Sequence, residues 1–287
     1  MTSWLVTGAA GQLGHELVDL LAVAGDSTSV TGLTRADLDI ADAEAVANAV
    51  EGHDLVVNAA AWTDVDGAET DEDAARAVNA AGPANLAAAC ARHGTRLVHV
   101  STDYVFSGDA AAPYPVNAPT APRSAYGRTK LRGEQAVLSS GAEAYVVRTA
   151  WVYGEHGRNF VSTMLRLAAG DGPVDVVDDQ RGSPTWAADL ASGLVALGAS
   201  AASPGIYHCT NAGDTTWYGL ARAVFAGAGV DPERVRPTTT DRFPRPAPRP
   251  AYSVLAGDAW SDAGLTPLQP WDAALAQALP RLMATTN

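Results

Sequence analysis

The chain opens on a short apolar run, Trp4-Leu5-Val6-Thr7, followed at once by Gly8-Ala9-Ala10-Gly11-Gln12-Leu13-Gly14 and then by apolar residues at helical spacing, Leu17, Leu20 and Leu21. This is the signature of a strand, a glycine turn and a helix, and it constrains the fold more than any other feature. The glycines let the backbone turn sharply and come close to a pyrophosphate, whose charge the amides at the helix N-terminus can meet. The spacing is G-x-x-G-x-x-G rather than G-x-G-x-x-G. Further apolar runs recur at intervals suited to βα repeats, at Ser29 to Leu33, Asp54 to Asn58, Arg96 to Ser101 and Ala144 to Arg148, with helical patterns over Ala43 to Val50, Glu72 to Arg92 and Ala125 to Ser139.

Continuous apolar strands alternating with helices imply a parallel sheet covered on both faces. The expected fold class is therefore α/β, a doubly wound parallel sheet of the Rossmann type with a smaller C-terminal substrate-binding lobe. Residues 1–155 are expected to form the dinucleotide-binding domain and 156–287 mainly the lobe, with some segments returning to the sheet. In the lobe, the pattern predicts a helix from Asn159 and Phe160 to Leu167, a strand over Val174 to Val177 and a helix over Ala187 to Leu197. Pro244, Pro246, Pro248 and Pro250 then force extended chain. Ligands of such sheets bind at the carboxyl ends of the strands, where Gly8, Asn58 to Ala61, Ser101 to Asp103 and Thr149 to Trp151 fall.

Lys130 is the only lysine among 19 Lys and Arg residues, and it stands four positions after Tyr126 in Ser124-Ala125-Tyr126-Gly127-Arg128-Thr129-Lys130. A chain that otherwise uses arginine has placed a compact point charge at this one position. On a helix, positions i and i+4 share a face, so the amine is expected beside the phenol as a proton-donor assembly.

A net charge of −13 offers no basic stripe for phosphates and argues against a nucleic-acid partner. Local arginines can still bind a small anion. Cys90 and Cys209 lie far apart with no Cys-x-x-Cys pair, and no secretory leader is read before the first strand, so a reducing cytoplasm is expected. No apolar run approaches bilayer length, and the six histidines show no metal-site spacing. No membrane partner and no metal site are read. Twenty positions beyond Gly14, where NAD enzymes place a carboxylate for the ribose 2′-hydroxyl, the chain has Thr34 followed by Arg35. A guanidinium there favours the 2′-phosphate of NADP. Asp37 and Asp39 follow closely and leave NADH open.

Gly8-x-x-Gly11-x-x-Gly14, Asn58-Ala59-Ala60-Ala61, Ser101-Thr102-Asp103-Tyr104-Val105-Phe106 and Tyr126-x-x-x-Lys130 together resemble an extended short-chain dehydrogenase/reductase. Within that superfamily the chain is most similar to the dTDP-4-dehydrorhamnose reductase family. The supporting segments are Gly11-Gln12-Leu13-Gly14, Leu38-Asp39-Ile40, Trp62-Thr63-Asp64-Val65-Asp66, Arg148-Thr149-Ala150-Trp151, Asp179-Gln180-Arg181-Gly182-Ser183-Pro184-Thr185 and Arg249-Pro250-Ala251-Tyr252-Ser253. The resemblance runs over nearly the whole chain.

It implies that Tyr126 protonates the 4-keto oxygen of a dTDP-linked 6-deoxyhexulose while a nicotinamide delivers hydride to C4, turning dTDP-4-dehydro-L-rhamnose into dTDP-L-rhamnose. Lys130 would stabilise the phenolate, and Thr102 would hydrogen-bond the same carbonyl oxygen. Gly8, Gly11, Gln12, Leu13 and Gly14 would hold the pyrophosphate, Asp39 and Ile40 would border the adenine, and Ala59, Ala60 and Ala61 would pack along the cofactor. Thr63, Asp103, Trp151, Asn159, Arg181 and Arg249 would face the nucleotide-sugar, Trp151 having a core role as its alternative. A homodimer is implied for some relatives, with Mg²⁺ held by acidic residues. Glu16 sits where one such residue falls, but its partners cannot be placed, and the metal stays unassigned. Two alternatives remain open: another nucleotide-sugar reductase or 4-epimerase on the same fold, and a non-catalytic NADP-binding regulatory subunit.

Overall fold

In the computed structural model, which describes residues 1–286, six strands form one wholly parallel sheet. Their order is Gly205–His208, Ala144–Thr149, Arg96–Thr102, Leu55–Asn58, Thr2–Thr7 and Thr28–Leu33. The second strand lies on one side of the first and the third on the other. That reversal opens a crevice beyond Thr7 and Asn58, which are register partners at the carboxyl ends of their strands. The central strands are apolar on both faces because both are covered: every residue of Leu55–Asn58 and of Ala144–Thr149 is buried.

Side chains alternate between two cores. Trp4, Val6, Leu55, Val57 and Val98 meet Leu13, Leu17 and Leu21 of the helix Gln12–Ala22 and Leu190, Leu194 and Leu197 of the helix Ala187–Ala199. Leu5, Val56, Leu97 and Val146 face the other way, toward the helices Ala43–Val50, Gly82–His93 and Ala125–Leu138. Each such leucine contributes roughly 1.5–3 kcal/mol by leaving water. A third core joins the helices Phe160–Ala168, Trp217–Gly227 and Trp271–Thr286 through Val161, Met164, Leu220, Val224, Phe225, Leu275 and Leu279. Beside it Val174–Val177 pairs in parallel with Val235–Thr238. The chain from Arg242 to Pro250 is irregular apart from the end of one 3₁₀ turn, as its prolines require.

Three local features differ from the sequence expectations. The stretch expected as one helix over Glu72 to Arg92 is divided into Glu72–Arg76, a π-helical turn Ala77–Ala81 and Gly82–His93. Pro83 has no N–H and its ring crowds the preceding turn, which a wider turn accommodates. The widened turn carries Asn79 inward, where it accepts from Trp62 N at 2.8 Å and donates to Trp62 O at 3.1 Å and Thr129 Oγ1 at 3.2 Å. Second, Gly205–His208 supplies a sixth strand too short and too close to Pro204 to stand out in the sequence. Third, the helices Trp217–Gly227 and Trp271–Thr286 were not anticipated.

Candidate active site

The glycine turn and the Asn58 loop close on each other across the crevice. Gly8 has φ +73, and a Cβ there would lie 2.6 Å from Ala60 N; at Gly14 it would lie 2.1 Å from Gly8 O. Neither position admits a side chain without moving backbone. The helix starting at Gln12 has Gly11 as its N-cap, with no side-chain cap and no acidic residue in its first turn. By contrast Asp42, Ser124 and Asn159 cap their helices with side-chain oxygens. The amides at Gln12 are thus left for an anionic ligand, and the glycine cradle fits the diphosphate of a dinucleotide.

Beneath the cradle, Asn58 Oδ1 accepts from Thr7 Oγ1 at 2.8 Å and from Ala60 N at 3.1 Å. This pins half-buried Ala59, Ala60 and Ala61 to the sheet end. Leu13 is a core residue, 8% exposed, that anchors the turn from below. At the far end Arg35 and Asp39 are exposed, and Ile40 is buried against Gly82. Asp37 accepts from Thr34 N at 3.0 Å and Thr34 Oγ1 at 2.6 Å, and Asp39 accepts from Ala41 N at 2.9 Å.

At the other end stand Thr102, Asp103, Tyr126 and Lys130. Ser124 Oγ accepts from Gly127 N at 3.1 Å and places Tyr126 in the first turn of its helix. A Cβ on Gly127 would lie 2.3 Å from Tyr104 O, so the helix start is pressed onto the turn that follows Thr102. Tyr126 packs its ring edge-on to Tyr104, with centroids 5.6 Å apart. Thr102 donates to Asp103 Oδ1 at 2.9 Å and accepts from Tyr104 N at 3.2 Å. Lys130, 2% exposed, donates to Val100 O at 2.6 Å.

Burial sets the electrostatics. It pushes the Tyr126 phenol up to about 12, against the lowering influence of the nearby Thr102 hydroxyl. It pushes the Lys130 ammonium down to about 8, against the attraction of Glu134. The Asp103 carboxyl rises to about 6 for the same reason, with Ser253 and Thr102 opposing. Burial outweighs the other influences on the phenol, which is held protonated, as a donor must be. Behind Lys130, Glu134 accepts from Arg148 Nε at 2.9 Å and Nη2 at 2.7 Å and from Ser101 Oγ at 2.6 Å, and this buried fork fastens the helix to the sheet.

The remaining expected residues line up on the lobe side. Trp151 is the one non-glycine residue with positive φ, +48, among the described residues. It stacks on Trp217 at 3.5 Å with planes 6° apart, and a Cβ on Gly182 would lie 2.5 Å from its ring. It is thus half-buried, packed on one face. Arg249 donates to Asp66 Oδ2 at 2.8 Å and lines a small pocket with Tyr104 and Ser124, the residue that caps the Tyr126 helix. Arg181 pairs with Asp214, and its carbonyl accepts from Ser253 N at 2.8 Å beside Asp103. Thr63 is exposed. Asn159 is drawn toward the glycine turn instead, donating to Gln12 Oε1 at 3.0 Å and Gly154 O at 2.7 Å. The motifs missed Asn79, Glu134, Trp217 and His99; only His99 stood in a motif-bearing strand.

A cavity of about 550 Å³ opens near the edge strand, lined by Ser183, His208, Asn211, Asp214 and Trp260 among others, and none of Thr102, Tyr126 or Lys130 lines it. Glu16 faces Arg281 and Glu155 rather than an acidic cluster, and among the described residues no group of three His, Cys, Asp or Glu is arranged to hold a metal. Nor, among them, is any helix long and apolar enough to cross a membrane.

A family model described as "RmlD substrate binding domain" matches residues 2–284. The chain is 52% identical over 280 residues to a dTDP-4-dehydrorhamnose reductase of Mycobacterium tuberculosis, covering 96% of this chain and 91% of the relative. It is 54% identical over 289 residues to a probable dTDP-4,6-dihydroxy-2-methyloxan-3-one 4-ketoreductase of Streptomyces antibioticus, covering 99% and 97%. Among solved structures, dTDP-4-dehydrorhamnose reductase from Bacillus anthracis in complex with NADP superposes with a TM-score of 0.93 at 34% identity, covering 98% and 99% of the two chains. Matched end to end in sequence and in fold, this chain belongs to the dTDP-4-dehydrorhamnose reductase family.

Proposed function

We propose that this chain is an oxidoreductase that reduces the 4-keto group of a dTDP-linked 6-deoxyhexulose at the expense of NADPH, with dTDP-4-dehydro-L-rhamnose as substrate. The observation that carries this is the helix start at Tyr126, pressed through Gly127 onto the turn that follows Thr102, with the buried Lys130 one helical turn on and donating to Val100 O at 2.6 Å, at the end of a glycine-lined crevice. When bound, the cofactor supplies the hydride. Tyr126 gives its proton to the sugar O4, Thr102 donates to the same oxygen as charge builds, and Lys130 supplies the positive field that makes the phenolate tolerable.

Gly8, Gly11, Gln12 and Gly14 hold the pyrophosphate, Leu13 anchors their turn, and Ala59 to Ala61 flank the cofactor. Asp39 and Ile40 border the adenine. NADPH is favoured because Arg35 is exposed while Asp37 and Asp39 already accept local hydrogen bonds. Asp103, Trp151, Arg181, Arg249 and Thr63 face the nucleotide-sugar, and Asn159 ties the lobe to the glycine turn. Residues 1–155 then form the dinucleotide domain and 156–287 mainly the substrate lobe, with the strand Gly205–His208 and the helix Ala187–Ala199 returning to the sheet.

The relatives are named for different dTDP sugars, so the test offers several dTDP-4-keto-6-deoxyhexoses with NADPH and with NADH. Oxidation of NADPH with the rhamnose precursor, at a kcat/KM above that of the other sugars, supports the reading. A product epimerised without net oxidation supports the epimerase, and NADPH binding without turnover supports the regulatory subunit.

A further inference from the structure

Trp151 stands in a backbone conformation that bulky side chains avoid. Its φ of +48 lies in the left-handed region. Such a conformation persists only where surrounding contacts over-determine it. Three contacts do so here. The Trp151 carbonyl accepts from Thr185 N at 3.2 Å. A Cβ on Gly182 would lie 2.5 Å from Cε2 of the indole, so the ring lies against bare backbone. Trp217 stacks on the indole with centroids 3.5 Å apart and planes 6° from parallel. Trp217 is itself fixed. Its Nε1 donates to Gln180 Oε1 at 3.1 Å, and Phe160 packs on its ring at 4.6 Å. Thr216 caps its helix by accepting from Gly219 N at 3.0 Å. Gln180 in turn donates to Thr240 Oγ1 at 3.0 Å, and Arg181–Gly182 pairs antiparallel with Thr215–Thr216. Trp217 therefore gives the Trp151 indole a rigid backing.

The stack stands at the reactive end of the sheet. Thr149 is the register partner of Thr102 at the carboxyl ends of adjacent strands, and Trp151 follows two residues later. We propose that Trp217 is a positioning residue: by locking the indole of Trp151 it makes one wall of the sugar pocket rigid, and so decides which face of C4 the hydride reaches. The inference rests on the reductase reading, with Trp151 at the sugar. A hexulose held by its diphosphate can turn about its glycosidic bond, and the turned pose offers the opposite face of C4 to the nicotinamide. The same bonds form in both poses. C4 gains the hydride with its electron pair from the reduced nicotinamide, which is oxidised, and O4 gains the proton of Tyr126. Only the configuration at C4 differs. A ring free to swing aside admits both poses, whereas a flat ring locked by stacking bars one of them. The selection is steric: it works against the wrong pose and needs no contact between Trp217 and the substrate.

The test uses the intact protein with NADPH and dTDP-4-dehydro-L-rhamnose, and NMR of the product reads the configuration at C4. Trp217→Phe keeps a flat ring for the stack, and Trp217→Leu keeps apolar bulk without one. Trp217→Leu is expected to form both C4 epimers, with kcat lowered by up to about 10²-fold, the cost of misplacing a reactant by about an ångström, and with NADPH affinity unchanged. Trp217→Phe is expected to form one epimer, as wild type does, at a kcat closer to that of wild type. A role in packing alone would lower the unfolding temperature of these variants and leave the product a single epimer. Should Trp217→Leu fail to fold, Trp217→Met, whose unbranched chain fills irregular space, takes its place with the same expectation. A single epimer from the variant without a ring, whatever its rate, overturns the inference, and so does a Trp217→Phe product as mixed as that of the variant without a ring. Wild-type turnover separates the two levels. One epimer from wild type and from the variant without a ring refutes only the role of Trp217, and no turnover by wild type refutes the reductase reading.

Discussion

Replacing Lys130 by Met is expected to make the protein more stable and inactive at once. The ammonium is held at about 8, below the 10.5 of a free lysine, because burial disfavours the charged form. A folded value below the unfolded one means that this group's contribution is most favourable above pH 10.5 and is lost as pH falls through 8. At neutral pH, keeping the ammonium in the folded state therefore costs about 3 kcal/mol. Met preserves the stem and its packing but removes the charge. It also removes the hydrogen bond to Val100 O, about 1 kcal/mol. The net gain at pH 7 is about 2 kcal/mol, and it disappears above pH 10.5, where both lysine states are neutral. Urea unfolding of both proteins at neutral and at high pH measures the difference. A variant no more stable than wild type at pH 7, or a gain that grows with pH, refutes the argument that burial penalises this ammonium.

Other changes test neighbouring parts of the site. Tyr126→Phe keeps the ring packed on Tyr104 and is expected to lower kcat by about 10²–10⁴-fold in steady-state assays, with NADPH affinity measured by fluorescence little changed. Asp103, raised from 3.8 to about 6, contributes stability below the lower value that is lost as pH rises through the upper one. Asp103→Asn should therefore unfold at higher urea than wild type at pH 7, by about 3 kcal/mol at most, and show no such advantage near pH 4. Gly14→Ala places a Cβ 2.1 Å from Gly8 O, so calorimetry should show a lowered Tm and NADPH titration a lost or strongly weakened site.

The sheet was legible because its signals are local. Strands such as Leu55–Asn58 are unbroken apolar runs, and the turn at Gly8 to Gly14 writes its steric demands as glycine. The reactive end was legible for a different reason: Tyr126 and Lys130 are neighbours on one helix, so their spacing survives in the sequence. What escaped depends on contacts between distant segments. Asn79 turns inward only because a π-helical turn precedes Pro83, and it then reaches Trp62 and Thr129. Trp217 gains its place by stacking on Trp151, whose φ of +48 no sequence rule predicts for a tryptophan. Glu134 meets Arg148 across a helix and a strand, and His99 meets Asn58 across two strands. Pairings of that kind are products of topology.

The most direct test of the central claim follows the hydride itself. Wild-type protein is incubated with NADPH deuterated at the transferable position of the nicotinamide and with dTDP-4-dehydro-L-rhamnose, and the sugar product is examined by NMR. The account predicts one deuteron at C4 of dTDP-L-rhamnose for each NADPH oxidised, with Tyr126→Phe giving neither. Unconsumed NADPH, or a product without deuterium at C4, would contradict it.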